Sequence, residues 1–219
     1  MTMSVDPEDR WQCGRNRMVR TLEGYKIADS RVLQAMSRVP RHAFIPQAFR
    51  MQTDPYGDHP CPIGHAQTIS QPYIVAYMIE RAALRPGMRV LEIGAGSGYL
   101  AAVLAEMGVE VFSVEIIASL VAHARSVLDA LGYQTVRVLQ GNGYSGCPEH
   151  APYDAIIVSC APATLPKELL SQLKNGGRMV LPVGVGIQDL VCLRKMGETV
   201  ERETAMSVRF VPLVGEEDV

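Results

Sequence analysis

Apolar residues cluster along this chain with a spacing that switches repeatedly between the two periods of regular structure. Val90-Leu91-Glu92-Ile93 is a short apolar stretch that breaks into alternating glycines, and an Ala/Leu-rich helical pattern opens from Tyr99 to Met107. This predicts a strand, a tight turn and a helix. The scheme continues downstream. Residues 109–114 predict a strand ending at Glu115, and Leu120, Val121, Ala124, Val127 and Leu128 share one helical face. Residues 136–139 predict a strand that runs into Gly141-Asn142-Gly143, and residues 153–158 a buried strand ending at Ser159-Cys160-Ala161-Pro162. A helix over 165–173 stopped by Asn175-Gly176-Gly177 leads into a strand over 179–183. Strands alternating with helices predict an α/β fold with a doubly wound, mostly parallel sheet. The end of the chain breaks the alternation. Only residues 184–188 separate that strand from the next, over 189–193. A parallel crossover takes about a dozen residues. The late strand is therefore expected to run antiparallel, followed by a turn near Met196-Gly197 and strand toward 208–213.

The first third reads differently. Residues 1–16 are expected to be a loose lead-in, and apolar residues stay sparse over 18–22. Ser30 is placed to cap a helix whose Val32, Leu33, Met36 and Val39 share a face, with Pro40 ending it. Residues 41–67 are rich in Pro, Gly and His, with little periodicity. A loop of that length inside a compact protein is usually functional or disordered. Its Phe44, Ile45, Tyr56 and Ile63 argue against disorder. Ser70, two positions before Pro72, looks like the cap of an apolar helix over 73–84. The expected division is an extension over residues 1–80 that contributes a substrate or catalytic loop, and a compact core over 81–219.

The glycine turn carries the first chemistry. Glycines there permit positive φ and close approach of a ligand to the backbone. The first amides of the following helix favour negative charge. A dinucleotide fingerprint needs G-x-G-x-x-G, and Tyr99 stands at its third glycine. No GK[ST] follows, and Ser97 does not sit in G-x-S-x-G. A nicotinamide oxidoreductase, a nucleoside triphosphate loop and a hydrolase elbow all fit poorly. Glu115, 21 residues after Gly94, stands where an acid can hold ribose hydroxyls. Glu92 with Gly94, Gly96 and Gly98, and then Glu115, resembles the first two motifs of S-adenosylmethionine-dependent methyltransferases.

Composition narrows the setting. The 219 residues allow one large domain, or one domain with an extension, and a net charge of −2 gives no bulk attraction to nucleic acid or membrane. The five cysteines are scattered without a C-x-x-C pair, and the histidines lack metal spacing, so no metal is expected. With no apolar leader and no spanning run, the chain reads as a cytoplasmic protein.

More specific stretches lie upstream of the glycines. Ile63-Gly64-x-x-Gln67-Thr68-Ile69-Ser70-Gln71-Pro72 resembles the signature that precedes the cofactor domain in protein-L-isoaspartate (D-aspartate) O-methyltransferases. Val39-Pro40-Arg41-His42-x-Phe44-Ile45-Pro46, Tyr56-x-Asp58-x-Pro60, Ala151-Pro152-Tyr153-Asp154 and Val208-Arg209-Phe210-Val211-Pro212-Leu213 are similar to further family stretches. The resemblance covers roughly residues 31–215.

The resemblance implies a Rossmann-like fold and methyl transfer from S-adenosylmethionine to the free α-carboxylate of L-isoaspartyl residues, with D-aspartyl residues as a second acceptor in the family's name, which initiates repair of damaged proteins and peptides. That carboxylate, with a reference pKa of about 3.3–3.7, is already ionised and needs no general base. The site must desolvate, align and bind. A hydroxyl donor suits this better than an arginine, and the family's serine corresponds to Ser70, in an orienting rather than covalent role. By the same resemblance Thr68 and Ile69 line the cofactor and substrate cleft, with Ile63 beside the substrate. Glu92 and the amides of Gly94, Gly96 and Gly98 meet the methionine portion, Glu115 the ribose, and Asn142-Gly143 the adenine. Asn142 replaces the family's usual Asp, and His65-Ala66 departs from its small or glycine pairing. The backbone from Val208 to Val211 could hold an extended peptide by strand-like hydrogen bonds. The expected partners are isoaspartyl substrates, with no nucleic acid or membrane, and a monomer is expected. The competing readings are a related methyltransferase acting on a dedicated peptide or small-molecule carboxylate, and a binding module that has kept the fold but lost activity.

Overall fold

The computed structural model describes residues 7–215. Its centre is a seven-stranded sheet. β3 (Arg89–Ile93), β4 (Glu110–Glu115) and β5 (Arg137–Gln140) build outward on one side; β6 (Tyr153–Val158), β7 (Leu173–Val183), β8 (Gln188–Met196) and β9 (Thr199–Val208) build on the other. The order is β5-β4-β3-β6-β7-β8-β9. β3 to β7 are parallel, and β8 and β9 antiparallel. The antiparallel turn of the chain after β7 is the one its short connection demands. Strand order reverses between β4 and β6 around β3, which opens a crevice at the strands' carboxyl ends.

Period-two burial explains why the middle strands are apolar throughout. Ala155 and Ile157 of β6 enter one core, while Ile156 and Val158 enter the other. α5 (Tyr99–Glu106) and α6 (Ala118–Ala130) cross between strands, and α7 (Lys167–Ser171) is shorter than the sequence pattern predicts. β7 instead begins early and carries a wide bulge. Tyr153 pairs with Leu173 but Ala155 with Arg178, so the Asn175-Gly176-Gly177 turn is absorbed inside the strand.

The N-terminal third adds α1 (Pro7–Gly24), α2 (Ser30–Arg38), a 3₁₀ turn over Arg41–Phe44, α3 (Gln47–Arg50), a hairpin of β1 (Cys61–Gly64) and β2 (Gln67–Ile69), and α4 (Pro72–Ala82). Three expectations are corrected here. Over residues 7–16 the lead-in is helical; residues 1–6 lie outside the described ones. The apolar anchors of α1 are few, but Met18 and Leu22 are one turn apart and buried. Trp11 stacks on His42 with ring centroids 4.5 Å apart. The cap of α2 is Asp29, whose side chain accepts the amide of Arg31; Ser30 is already helical. The stretch 41–67 is not a structureless loop but holds these short elements. Residues of α1, α2 and α4 share one core with α5 and β3. No helix among the described residues is long and apolar enough to cross a membrane, and none of their His, Cys, Asp and Glu side chains gather into a possible metal site.

The hairpin turn carries backbone strain. His65 and Ala66 have φ of 53° and 54°. Two consecutive positive φ values suit a two-residue hairpin turn, but usually call for Asn-Gly. A non-glycine residue in this region costs about 1–2 kcal/mol. His65 Nε2 lies 2.8 Å from Ser119 Oγ on α6, which ties the tip across the crevice. Replacing Ala66 with Gly is expected to raise the melting temperature by roughly 2 °C, after the greater flexibility of the unfolded chain is subtracted. Thermal unfolding by circular dichroism checks this; a lower melting temperature would show that the turn is unstrained.

Candidate functional site

The loops that follow β3, β4, β5 and β6 converge on one cavity, which β2 and residues 211–214 complete. The glycine turn shapes its floor. Gly94 and Ala95 donate backbone hydrogen bonds to the Val114 carbonyl, which pins the turn to β4. Gly94 and Gly96 line the cavity with φ of 87° and 51°. A side chain on Gly96 would come within 3.4 Å of Ile63, which closes the turn from above. Gly98 serves another purpose: it caps α5 and packs where a Cβ would lie 3.2 Å from Ala124 and Leu128.

Glu92 and Glu115 are the charged residues of this cavity. Glu92 is 1% exposed. Its Oε2 accepts the Ser113 hydroxyl at 2.5 Å, and its Oε1 has no partner. Burial raises its carboxyl to about 8, with the Ser113 hydrogen bond opposing and the Glu115 charge adding to the shift. Glu115 is fixed by backbone amides. Its Oε2 accepts from Gly96, and its Oε1 from Ile116 and Ile117. Three amides leave a two-oxygen carboxylate with further acceptor capacity. The pair makes the cavity attractive to a cation and to hydroxyl groups.

Asn142 and Gly143 divide. Gly143 lines the cavity, and a Cβ there would collide with Ile93 at 2.6 Å and Leu213 at 2.8 Å. Asn142 is half-buried and outside the lining; its Oδ1 accepts the amide of Tyr144, shaping the turn. The carboxamide oxygen of Asn142, expected beside the adenine, therefore already holds the backbone. Tyr99, at the position of the missing fingerprint glycine, is buried edge-on to Phe44 with the Arg41 guanidinium 5.1 Å from its ring centroid.

A second cavity adjoins the first. Thr68, Ser70, Ser159 and Val211 line both. Its remaining wall includes Gln71, Ile74, Ile187 and residues 207–210, and Arg209 is its one charged lining residue. Val208 lies here and not in the first cavity. The strand expected at 208–213 is corrected: β9 ends at Val208. The rest is an extended strap over the carboxyl ends of the sheet, held by Ala161 N–H to the Val211 carbonyl and Leu213 N–H to the Ala161 carbonyl. Burying Val208 and threading the strap past β6 sets the wall between the cavities.

Ser70 stands at the junction, and the structure removes its expected capping role. The cap residue of α4 is Gln71, and no side chain of its own turn caps the helix. Asp58, fifteen residues upstream, accepts the Tyr73 amide at 2.9 Å. The Ser70 hydroxyl has no hydrogen-bond partner among the described residues. Ser113, Ser159, Asp58 and the strap beyond Val211 were not singled out from sequence for these places. Only Asp58 had a visible signal, its position inside Tyr56-x-Asp58-x-Pro60.

Comparison with known proteins gives a consistent match. The family model of protein-L-isoaspartate(D-aspartate) O-methyltransferase matches residues 13–218. A protein-L-isoaspartate O-methyltransferase of Gloeobacter violaceus is 53% identical over 188 residues, 84% of this chain and 90% of its own length. One from Methylorubrum extorquens is 54% identical over 216 residues, 97% of this chain and 93% of its own. A solved protein-L-isoaspartate O-methyltransferase superposes with a TM-score of 0.84 at 30% identity, over 92% of this chain and 66% of that longer one. A beta-aspartate methyltransferase from Plasmodium falciparum, solved in complex with S-adenosyl-L-homocysteine, gives 0.80 at 25% identity, over 91% and 98%.

The electrostatics of Glu92 set a pH dependence. Its carboxyl is raised from 4.5 to about 8 on folding. Across that window the folded protein keeps a proton that the unfolded chain releases, so stability falls as pH rises. Glu92→Gln stays neutral and should become more stable than the unsubstituted protein as pH rises from 5 toward 8. Urea unfolding of both ligand-free proteins at several pH values measures this. A stability difference that is flat with pH would mean that Glu92 is ionised when buried.

Proposed function

The chain belongs to the protein-L-isoaspartate(D-aspartate) O-methyltransferase family, and from that premise we propose that it transfers a methyl group from S-adenosylmethionine to the free α-carboxylate of L-isoaspartyl residues in proteins and peptides. The observation that carries this reading is the meeting of two cavities of opposite character at a junction lined by the hydroxyl residues Thr68, Ser70 and Ser159. The first is walled by the Glu115 carboxylate and the buried Glu92 carboxyl, the second carries a lone arginine, and Ser70 borders both. A positively charged methyl donor and an anionic acceptor are sorted to opposite sides of such a junction.

The residues present fit the donor. Glu92 Oε1, buried and unmet, suits the ammonium of the methionine portion, since a buried charge without a partner is costly. Glu115 is held by three amides with acceptor capacity left for ribose hydroxyls. Gly94 and Gly96 bring backbone to the cavity surface, and the missing side chain of Gly143 keeps open the wall assigned to the adenine. Asn142 acts there through the turn it holds. S-adenosylmethionine, when bound, supplies a methyl group on an electrophilic sulfonium.

This chain's part is to bind, orient and exclude water. The isoaspartyl α-carboxylate arrives ionised, so no residue has to take a proton. The Ser70 hydroxyl donates to one carboxylate oxygen and leaves the other to attack. Thr68 and Ile69 continue the wall on the cofactor side, while Ile63, expected beside the substrate, lines neither cavity and packs against the glycine turn. The stretch from Val208 to Val211 lies along the second cavity, where the backbone groups not already held by Gln188 and Ala161 can bond an extended peptide of varied sequence. Arg209 adds attraction for the anionic acceptor. The methyl ester is a better acyl donor than the carboxylate it replaces, which opens a route back to a normal peptide bond.

Labelled cofactor, an isoaspartyl peptide and its normal aspartyl twin test the reading together. Label is expected in the isoaspartyl peptide alone. Equal labelling of both peptides, or none from folded protein that binds S-adenosylhomocysteine, would overturn it. Ser70→Ala is expected to lower turnover on the order of a hundredfold through misplacement of the nucleophile, with S-adenosylhomocysteine affinity changed little. Near-normal turnover in that variant would remove Ser70 from the chemistry.

A further inference from the structure

Asp58 occupies an unusual place. Its Oδ1 accepts the amide of Tyr73, the second residue of α4, at 2.9 Å, and its Oδ2 accepts the Gln71 side-chain amide at 2.8 Å. An acceptor for the second amide of a helix is normally the cap residue itself. Here the cap position is Gln71, whose side chain reaches Asp58 instead of its own helix. One carboxylate thus does the cap's work from a distant loop, with the charge preferred at a helix start.

This has a consequence at the neighbouring residue. Ser70 is bounded on one side by Ile69, buried and paired with Cys61 in the hairpin. On the other side stand Gln71 and Pro72, gripped by Asp58 through the side chain and the helix start. Had the helix taken its cap from within the turn, Ser70 would be the nearest short hydroxyl available. With the amide already satisfied, the Ser70 hydroxyl stays free at the junction of the two cavities.

We propose that Asp58 is a positioning residue for methyl transfer: by capping α4 from outside the turn, it holds the Ser70 backbone and keeps its hydroxyl available to the acceptor carboxylate. The inference rests on the orienting role of Ser70 proposed above. Asp58 does not line either cavity, so its effect on the reaction passes through the residues it holds in place, Gln71 and the Ser70 backbone beside it.

A double-mutant cycle tests it, because two residues that act as one unit are not additive. Asp58→Ala should lower kcat more than tenfold and leave the affinity for S-adenosylhomocysteine within about threefold. Asp58→Asn keeps an acceptor for the Tyr73 amide and should recover kcat to within several-fold of the unsubstituted enzyme. In a Ser70→Ala background, Asp58→Ala should reduce kcat no further, while it lowers the melting temperature in both backgrounds. Normal kcat in Asp58→Ala, or an equal loss in both backgrounds, would overturn the proposal. Normal turnover in Ser70→Ala alone would remove the role of Ser70 and this inference with it, an outcome distinct from failure of Asp58. Should Asp58→Ala not fold, Gln71→Ala severs the side-chain link and leaves the helix cap. It should lower kcat several-fold when Ser70 is present and not when Ser70 is Ala; the same loss in both backgrounds, or no loss in either, overturns the proposal.

Discussion

Glu92 lies one residue from the end of β3, where the sheet reverses its order, and one of its two oxygens meets nothing. A buried carboxyl in that condition resists ionisation, and an unmet polar atom costs free energy that the surrounding cores must offset. They are placed to do so. β3 is flanked on both edges by parallel partners, and its neighbouring residues Leu91 and Ile93 are fully buried. The rest of the cofactor side follows from this point. The glycine turn must leave β3 without side chains, Ser113 must steady the second oxygen, and Glu115 must be tied by amides so that two carboxylates can stand in one cavity.

The acceptor side is governed by a different economy of hydrogen bonds. A helix start has amides that need acceptors, and a serine nearby is the ordinary supply. Sending that task to Asp58 leaves Ser70 with a free hydroxyl beside the strap of residues 208–214. The strap in turn is not strand, because its backbone bonds to Ala161 beyond the end of β6 and, at Phe210, to the side chain of Gln188 in β8, rather than to the backbone of a neighbouring strand. The two cavities therefore share walls made of backbone that the sheet does not use.

Elements with strong periodicity were legible from sequence. The alternation of β3, α5, β4 and α6 and the antiparallel β8 followed from apolar spacing and connection length. Ser70 and the glycine turn were legible as motifs. What escaped depends on contacts distant in sequence. The Asp58 cap spans fifteen residues; Tyr56-x-Asp58-x-Pro60 marks the residue but not the helix start it reaches. α1 escaped because its buried anchors are outnumbered by exposed polar residues. The strap looked like strand because an extended chain with apolar residues has the same signature whether or not it pairs. Asn142 read as a ligand contact because its Asx turn with Tyr144 is invisible without the backbone.

The central claim is that the fold holds an unmet carboxyl for the cationic end of the cofactor, and proton exchange on binding addresses it directly. Calorimetry of S-adenosylhomocysteine binding near pH 6.5, in buffers of different ionisation enthalpy, counts the protons transferred. Ionisation of Glu92 against the ligand ammonium should release about one proton per molecule bound, and Glu92→Gln should release none. Binding without proton release, or the same release in Glu92→Gln, would contradict the account.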